Sequence, residues 1–274
     1  MSLIITTCTA KGCVFASDRA GVVMPFPDGI PGGIAIGAKD EGAIDRWLPV
    51  VSDFLKSGRL HPQDHFLFQC TAFQDFVCDL DLMTSGIEAE VILQGYGEQE
   101  MFPSEMRVIL GKGTDTWTAE DFIPIHPYKC GNMVWTVGDC EDVDTLVKGI
   151  SSENEASYAR EFARQARKMK KRLVAKAEES GIPEAVRAAK AIHVADYVDS
   201  FMESYRTMMT DHFLNPFEIA VESFNMDDLI AMSERLIDLS GMLKHFRDGE
   251  AGYASTREIA IVTRAEGFVW IKRA

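Results

Sequence analysis

Ser2-Leu3-Ile4-Ile5-Thr6-Thr7-Cys8-Thr9-Ala10-Lys11-Gly12-Cys13-Val14-Phe15-Ala16-Ser17-Asp18 is the stretch whose reading decides the fold. Two apolar, β-branched runs flank a Lys11-Gly12 turn, which is the pattern of a β-hairpin. A small hydroxyl residue stands directly behind Met1, and Asp18 follows Ser2 by sixteen positions at the end of the second run. An N-terminal serine would offer a hydroxyl and a free α-amine on one framework. That amine titrates at roughly 7.7–8.0, so it can serve as the base for its own hydroxyl without a histidine. Removal of Met1 is the precondition, and a serine at position 2 is small enough for ordinary methionine removal.

Working outward, Gly21 to Gly33 is rich in Pro and Gly and reads as turn and loop. Ile34-Ala35-Ile36 is a short buried strand ending at Gly37. Ile44, Trp47, Leu48, Val51, Phe54 and Leu55 recur at helical spacing, with Pro49 expected to kink or shorten the helix. Pro62 marks the start of a second helix carrying Phe66, Cys70, Phe73 and Val77. Ala89–Tyr96 and Met106–Leu110 form a second hairpin, Asn132–Val137 a strand and Asp142–Ile150 a short helix. Two long helices follow. One spans about Glu155–Glu178, with Ala159, Phe162, Ala166, Met169 and Leu173 on one face. The next, after Gly181-Ile182-Pro183, carries Val186, His193, Tyr197, Phe201, Tyr205 and Met208. A further helix begins at Asn225, a good N-cap. Glu258–Thr263 and Phe268–Lys272 close the chain as strands.

The opening hairpin resembles that of proteasome β-type subunits, members of the N-terminal-nucleophile (Ntn) hydrolases. The closing Glu258-Ile259-Ala260-Ile261-Val262-Thr263-Arg264-Ala265-Glu266-Gly267-Phe268-Val269-Trp270-Ile271-Lys272-Arg273 looks like that family's last hairpin. Gly95-Tyr96-Gly97-Glu98-Gln99-Glu100-Met101-Phe102-Pro103-Ser104 resembles a group of uncharacterised bacterial proteasome-like proteins. The resemblance implies an α+β, four-layer αββα sandwich: two stacked antiparallel sheets between helical layers. It implies one Ntn-hydrolase-like domain over 1–274, with 152–215 as a long helical insertion or extension. It also implies an amide or peptide hydrolase with Ser2 as nucleophile, Asp18 orienting the amine and the Gly37 N–H binding an oxyanion. A peptide or small amide would be the substrate, and a homo-oligomer the working state.

Active members carry a lysine after the Asp, and none lies between Arg19 and Gly37 here. Arg19 is the nearest cation and supplies charge but no base chemistry; Lys39 lies past the strand. This departure motivates a second reading, a non-catalytic assembly subunit whose interface is built by the long helices 155–212.

The remaining residues narrow the field. The chain has 274 residues and a formal charge of −14, which argues against nucleic-acid binding. Ten Lys/Arg against four Asp/Glu between Arg160 and Lys190 give +6 locally and leave −20 on the rest of the −14 total. This is either a solvated helix face or a basic surface for an acidic partner, another copy of this chain among them. No apolar run approaches the roughly 20 residues of a membrane span, and no signal peptide is evident, so no membrane partner and a cytoplasmic location are expected. The six cysteines form no C-x-x-C pair; Cys8 and Cys13 face each other across the hairpin turn, with buried thiols the expected state. His61 and His65 lack a third ligand, so no metal and no cofactor are expected. His193 reads as a core histidine, and Glu98, Glu100 and Glu105 cluster near a strand turn.

Overall fold

The computed structural model describes residues 2–18, 20–80, 88–111, 122–124, 134–138, 140–248 and 258–273. By its internal contacts the chain divides into two compact units, 1–143 with 217–274, and 144–216.

The first unit begins with the hairpin of β1 (Leu3–Thr9) and β2 (Gly12–Ser17), paired from Ile4↔Ser17 to Thr9↔Gly12. β3 (Val22–Pro25) and β4 (Gly32–Gly37) follow, so the Gly/Pro-rich stretch expected to be loop contains a four-residue strand. β3 is an edge strand, where its closing proline leaves no interior ladder bond missing. Then come α1 (Glu41–Lys56) and α2 (Phe66–Asp79). α1 runs on through Pro49, and Asp40 caps it by accepting from the Gly42 N–H at 3.0 Å. α2 starts four residues later than Pro62 suggests. The Glu100 carboxylate accepts from the Phe66 N–H at 3.2 Å and fixes the start there.

β5 (Ala89–Gly95), β6 (Ser104–Leu110), β7 (Phe122–Pro124) and β8 (Val134–Gly138) continue the strands. α3 (Glu141–Lys148) leads into the helical unit: α4 (Ser152–Ser180), α5 (Pro183–Ala191) and α6 (Val194–Met209), a π-helical turn Thr210–Leu214, and α7 (Asn215–Ser223), which ends beyond that unit. The second long helix of the sequence reading is broken in two. Ile192 and His193 are extended, and the Lys170 ammonium holds the Ile192 carbonyl at 2.7 Å. His193 is exposed at the start of α6, not in a core. α8 (Met226–Asp248), β9 (Glu258–Thr263) and β10 (Gly267–Lys272) complete the first unit.

All strand pairs are antiparallel. One sheet has the order β10-β9-β2-β1-β8, the other β3-β4-β5-β6-β7. Successive side chains on a strand point to opposite faces, and here both faces are covered. Ile34, Ile36, Val91 and Leu93 meet Trp47, Phe54, Phe66 and Phe73 of α1 and α2. Ile4, Cys8, Phe15, Ala35, Ile92 and Val262 meet between the sheets. On the outer side of β1, Thr7 hydrogen-bonds Ser233 of α8 at 3.5 Å. The layers are helix, sheet, sheet, helix: the α+β sandwich expected from the sequence.

Candidate functional site

Ser2 enters β1 where the two sheets meet. Leu3 pairs with Gly138 at the end of β8, and Ser2 reaches across to Ala38, just past β4. The Ser2 backbone N–H donates to the Ala38 carbonyl at 3.3 Å. The Ser2 hydroxyl donates to that same carbonyl at 2.9 Å and accepts from the Ala38 N–H at 2.8 Å. Ser2 is fully buried.

Two glycines shape this seat. A Cβ at Gly37 would stand 3.2 Å from the Ser2 Oγ, and one at Gly138 only 2.9 Å. Gly138 also has φ +87, a conformation disfavoured for residues with a Cβ. Gly138 and Ala38 are the members of this cluster that sequence reading missed. A glycine closing a strand was the available signal for the first; a backbone amide leaves none for the second.

Of the residues singled out in the sequence, the fold brings Ser2 and Gly37 together. The backbone N–H that contacts the hydroxyl is that of Ala38. Asp18 is buried, and its carboxylate turns onto its own chain, accepting from the Ala20 and Gly21 N–H groups at 3.1 Å each. Its backbone N–H donates to the Leu3 carbonyl at 3.0 Å. No hydrogen bond joins Asp18 to Ser2 among the described residues. Arg19 and Met1 lie outside the described residues, and Lys39 is exposed.

As arranged, the Ser2 proton points at a carbonyl oxygen, which is no base. Its oxygen is engaged by an amide of the kind that elsewhere stabilises an oxyanion.

A second buried polar centre lies between the sheets. Gln94 and Glu105 are direct cross-strand partners in β5 and β6. The Gln94 amide donates to Glu105 Oε2, and the Thr6 hydroxyl donates to the same oxygen at 3.5 Å. Burial pushes the Glu105 carboxyl well above the usual carboxylate range, against opposing pulls from Thr6 and Arg107. Gln94 Oε1 and Glu105 Oε1 find no partner among the described residues.

Nearby, the Cys8 and Cys13 thiols lie 2.9 Å apart and fully buried, and burial raises both. Burial also raises the Tyr96 phenol.

The three glutamates grouped by sequence do different things. Glu105 is buried between the sheets, and Glu100 caps α2 and accepts from the Gly97 N–H at 3.0 Å. Glu98 is engaged through its backbone: its N–H donates to the Asp64 carbonyl at 3.3 Å and its carbonyl accepts from Arg264. No cluster of three or more His, Cys, Asp or Glu able to hold a metal occurs among the described residues. None of their helices is long and apolar enough to cross a membrane.

Comparison with known proteins gives little. No family model matches the chain, and no curated protein matches it. Among solved structures, Anbu (ancestral beta-subunit) from Yersinia bercovieri is 12% identical, with a TM-score of 0.38, over 54% of this chain and 64% of that one. Anbu from Hyphomicrobium sp. strain MC1 gives 12% and 0.37, over 54% and 66%. This chain thus covers less than two thirds of either, and similarity of this size carries no assignment.

The expected membership of the proteasome β-type, Ntn-hydrolase-like family is corrected accordingly. With no family model matching, the opening hairpin has to stand alone, and its signals have local causes. β-branched runs around a Gly turn are what any buried antiparallel pair requires. The Asp at its end caps its own turn.

Proposed function

We propose that this chain is a non-catalytic structural subunit that works in an assembly of its own copies in the cytoplasm. The observation that carries this reading is the closed Ser2 seat: a buried hydroxyl with its donor and its acceptor both taken by Ala38. In this role Ser2 pins the start of β1 in one sheet to the end of β4 in the other. Its alanine variant leaves the buried Ala38 N–H short of its partner, at a cost of about 1–3 kcal/mol.

The test is to assay the purified chain and Ser2→Ala on fluorogenic peptide amides while following urea unfolding. The expected result is no serine-dependent hydrolysis and a lowered unfolding midpoint for the variant. Hydrolysis by the wild type that disappears in a folded Ser2→Ala variant overturns the reading.

A second reading is favoured by Gly37, Gly138 and the Ala38 N–H, which together frame the Ser2 Oγ with space and one donor. In it Ser2, freed of Met1, is the nucleophile of an amide or peptide hydrolase. Its α-amine is the base, Asp18 orients the amine, Arg19 is the nearest cation to Asp18 along the sequence, and backbone N–H groups at Gly37 and Ala38 receive the oxyanion once the hydroxyl rotates. Intact-mass measurement decides its premise: retained Met1 blocks the amine and ends this mechanism.

A further inference from the structure

The apolar strip on the first long helix is only partly covered by α6: Phe162 packs against Phe201, while Tyr158, Met169 and Leu173 stay exposed. At 3.6 residues per turn, Tyr158, Phe162, Met169 and Leu173 share one side of α4. Tyr158 is 55% exposed and Met169 63%. α6 lies alongside and continues the surface: the Phe201 ring stacks on Phe162 at 3.9 Å, and Tyr197 is 64% exposed. A cavity of about 300 Å³ opens between the two strips, walled by Tyr158, Phe162, Phe201 and Tyr205. Amphipathic helices are stabilised by burying such a face, and two paired helices with an aromatic side open are half of a four-helix packing.

The charges beside the strip select the partner. Glu161 lies on one edge of it, before the midpoint; Lys168 and Arg172 lie on the same edge, after it. A second α4 laid antiparallel sets Glu161 against the partner's Lys168 and the partner's Arg172, twice over by symmetry. A parallel one leaves this edge on opposite sides of the seam, with no such pairing. Glu161 carries its charge within a local pair: its carboxylate accepts from the Arg164 guanidinium, which holds it down at about 2, and from the Gln165 amide at 2.7 Å. From Tyr158 to Leu173 the strip runs about 22 Å.

We propose that the exposed α4–α6 face is a self-association surface on which a second copy of this chain packs about a twofold axis, with the two α4 helices antiparallel. The proposal rests on the assembly reading above and names the surface that reading needs. Such an isologous contact closes on itself and yields a dimer.

Sedimentation velocity on the full chain from 1 to 100 μM tests it. The wild type is expected to dimerise in that range. Met169→Glu combined with Tyr197→Glu, both at exposed positions and checked for fold by circular dichroism, is expected to stay monomeric. Glu161→Lys alone, or Lys168→Glu with Arg172→Glu, places like charges across the axis and is expected to weaken the dimer by about tenfold or more. Mixing these two charge variants pairs opposite charges at both sites and is expected to restore association.

A wild type that assembles while all these variants assemble equally well overturns the proposed surface and leaves the assembly reading standing. A wild type that is strictly monomeric at 100 μM overturns both. Serine-dependent hydrolysis by a chain that dimerises as described overturns only the non-catalytic reading.

Discussion

At the scale of single residues, Glu105 is the least ordinary group in the fold. Burial between two sheets, facing Gln94 and Thr6, pushes its carboxyl well above the range of a solvent-exposed one. The sign of its effect on stability follows from linkage. Below the unfolded-state value of about 4.3, Glu105 is protonated in both states and costs nothing. Above it the unfolded chain gains by ionising and the folded chain does not, so stability falls until the pH passes the raised folded value. Each pH unit in that window costs about 1.4 kcal/mol. Glu105→Gln keeps the shape without the titration. Its stability is expected to match the wild type near pH 4.5 and exceed it at pH 8. Denaturant titrations at the two pH values measure this, and a wild-type stability that is flat between them would sink the idea. The sequence showed Glu105 only as one of three acids near a turn. What singles it out is the pairing with Gln94 in a strand whose alternate residues, Ile92 and Tyr96, face the second sheet. That information lives in register, which no spacing along one strand contains. Ser2 and Asp18 were conspicuous for the opposite reason, since the hairpin fixes where both ends of a short segment must lie.

Among the elements, legibility tracks how local the cause is. β1, β2, β9 and β10 are read directly because turn residues and β-branched runs specify them. β3 was hidden by the glycines and prolines around it; a short strand on an edge needs only its neighbour β4 to form. The break between α5 and α6 was hidden because its cause is distant: Lys170, on α4, takes the Ile192 carbonyl. α8 is the converse, with its start written locally. Asn225 Oδ1 accepts from the Asp228 N–H at 2.9 Å, while the Asp228 carboxylate accepts from the Asn225 N–H at 3.3 Å. This reciprocal cap holds the helix that covers the outer side of β1. Asn225→Ala removes one arm and is expected to cost about 1 kcal/mol; Asn225→Asp keeps an acceptor and is expected to cost a few tenths at most. Thermal melts of the two variants distinguish a cap from a residue that merely occupies the turn, for which both substitutions would behave alike.

At the scale of the whole molecule, the division into two compact units has a thermodynamic consequence. The sandwich owns a core in which Phe54 is fully buried, edge-on to Phe73 at 5.0 Å. The unit 144–216 has little that is fully buried and is held by the helix pairing of α4 with α5 and α6, with Phe162 and Phe201 stacked between them. Cooperativity requires that the loss of one part remove the support of the other, and each unit is compact by its own internal contacts. The full chain is therefore expected to unfold in two transitions, with a calorimetric enthalpy larger than the van't Hoff value of either. Phe54→Ala should separate them. Deleting a buried ring costs about 3–5 kcal/mol, and that cost falls on the sandwich transition alone. The helical transition should instead respond to protein concentration, because a face that self-associates is stabilised by mass action. Scanning calorimetry of the wild type and Phe54→Ala at two concentrations reads both effects. A single transition that moves as a whole with Phe54→Ala would show one cooperative body, and the helices 155–212 would then be part of the sandwich's own stability rather than a separately folding surface for assembly.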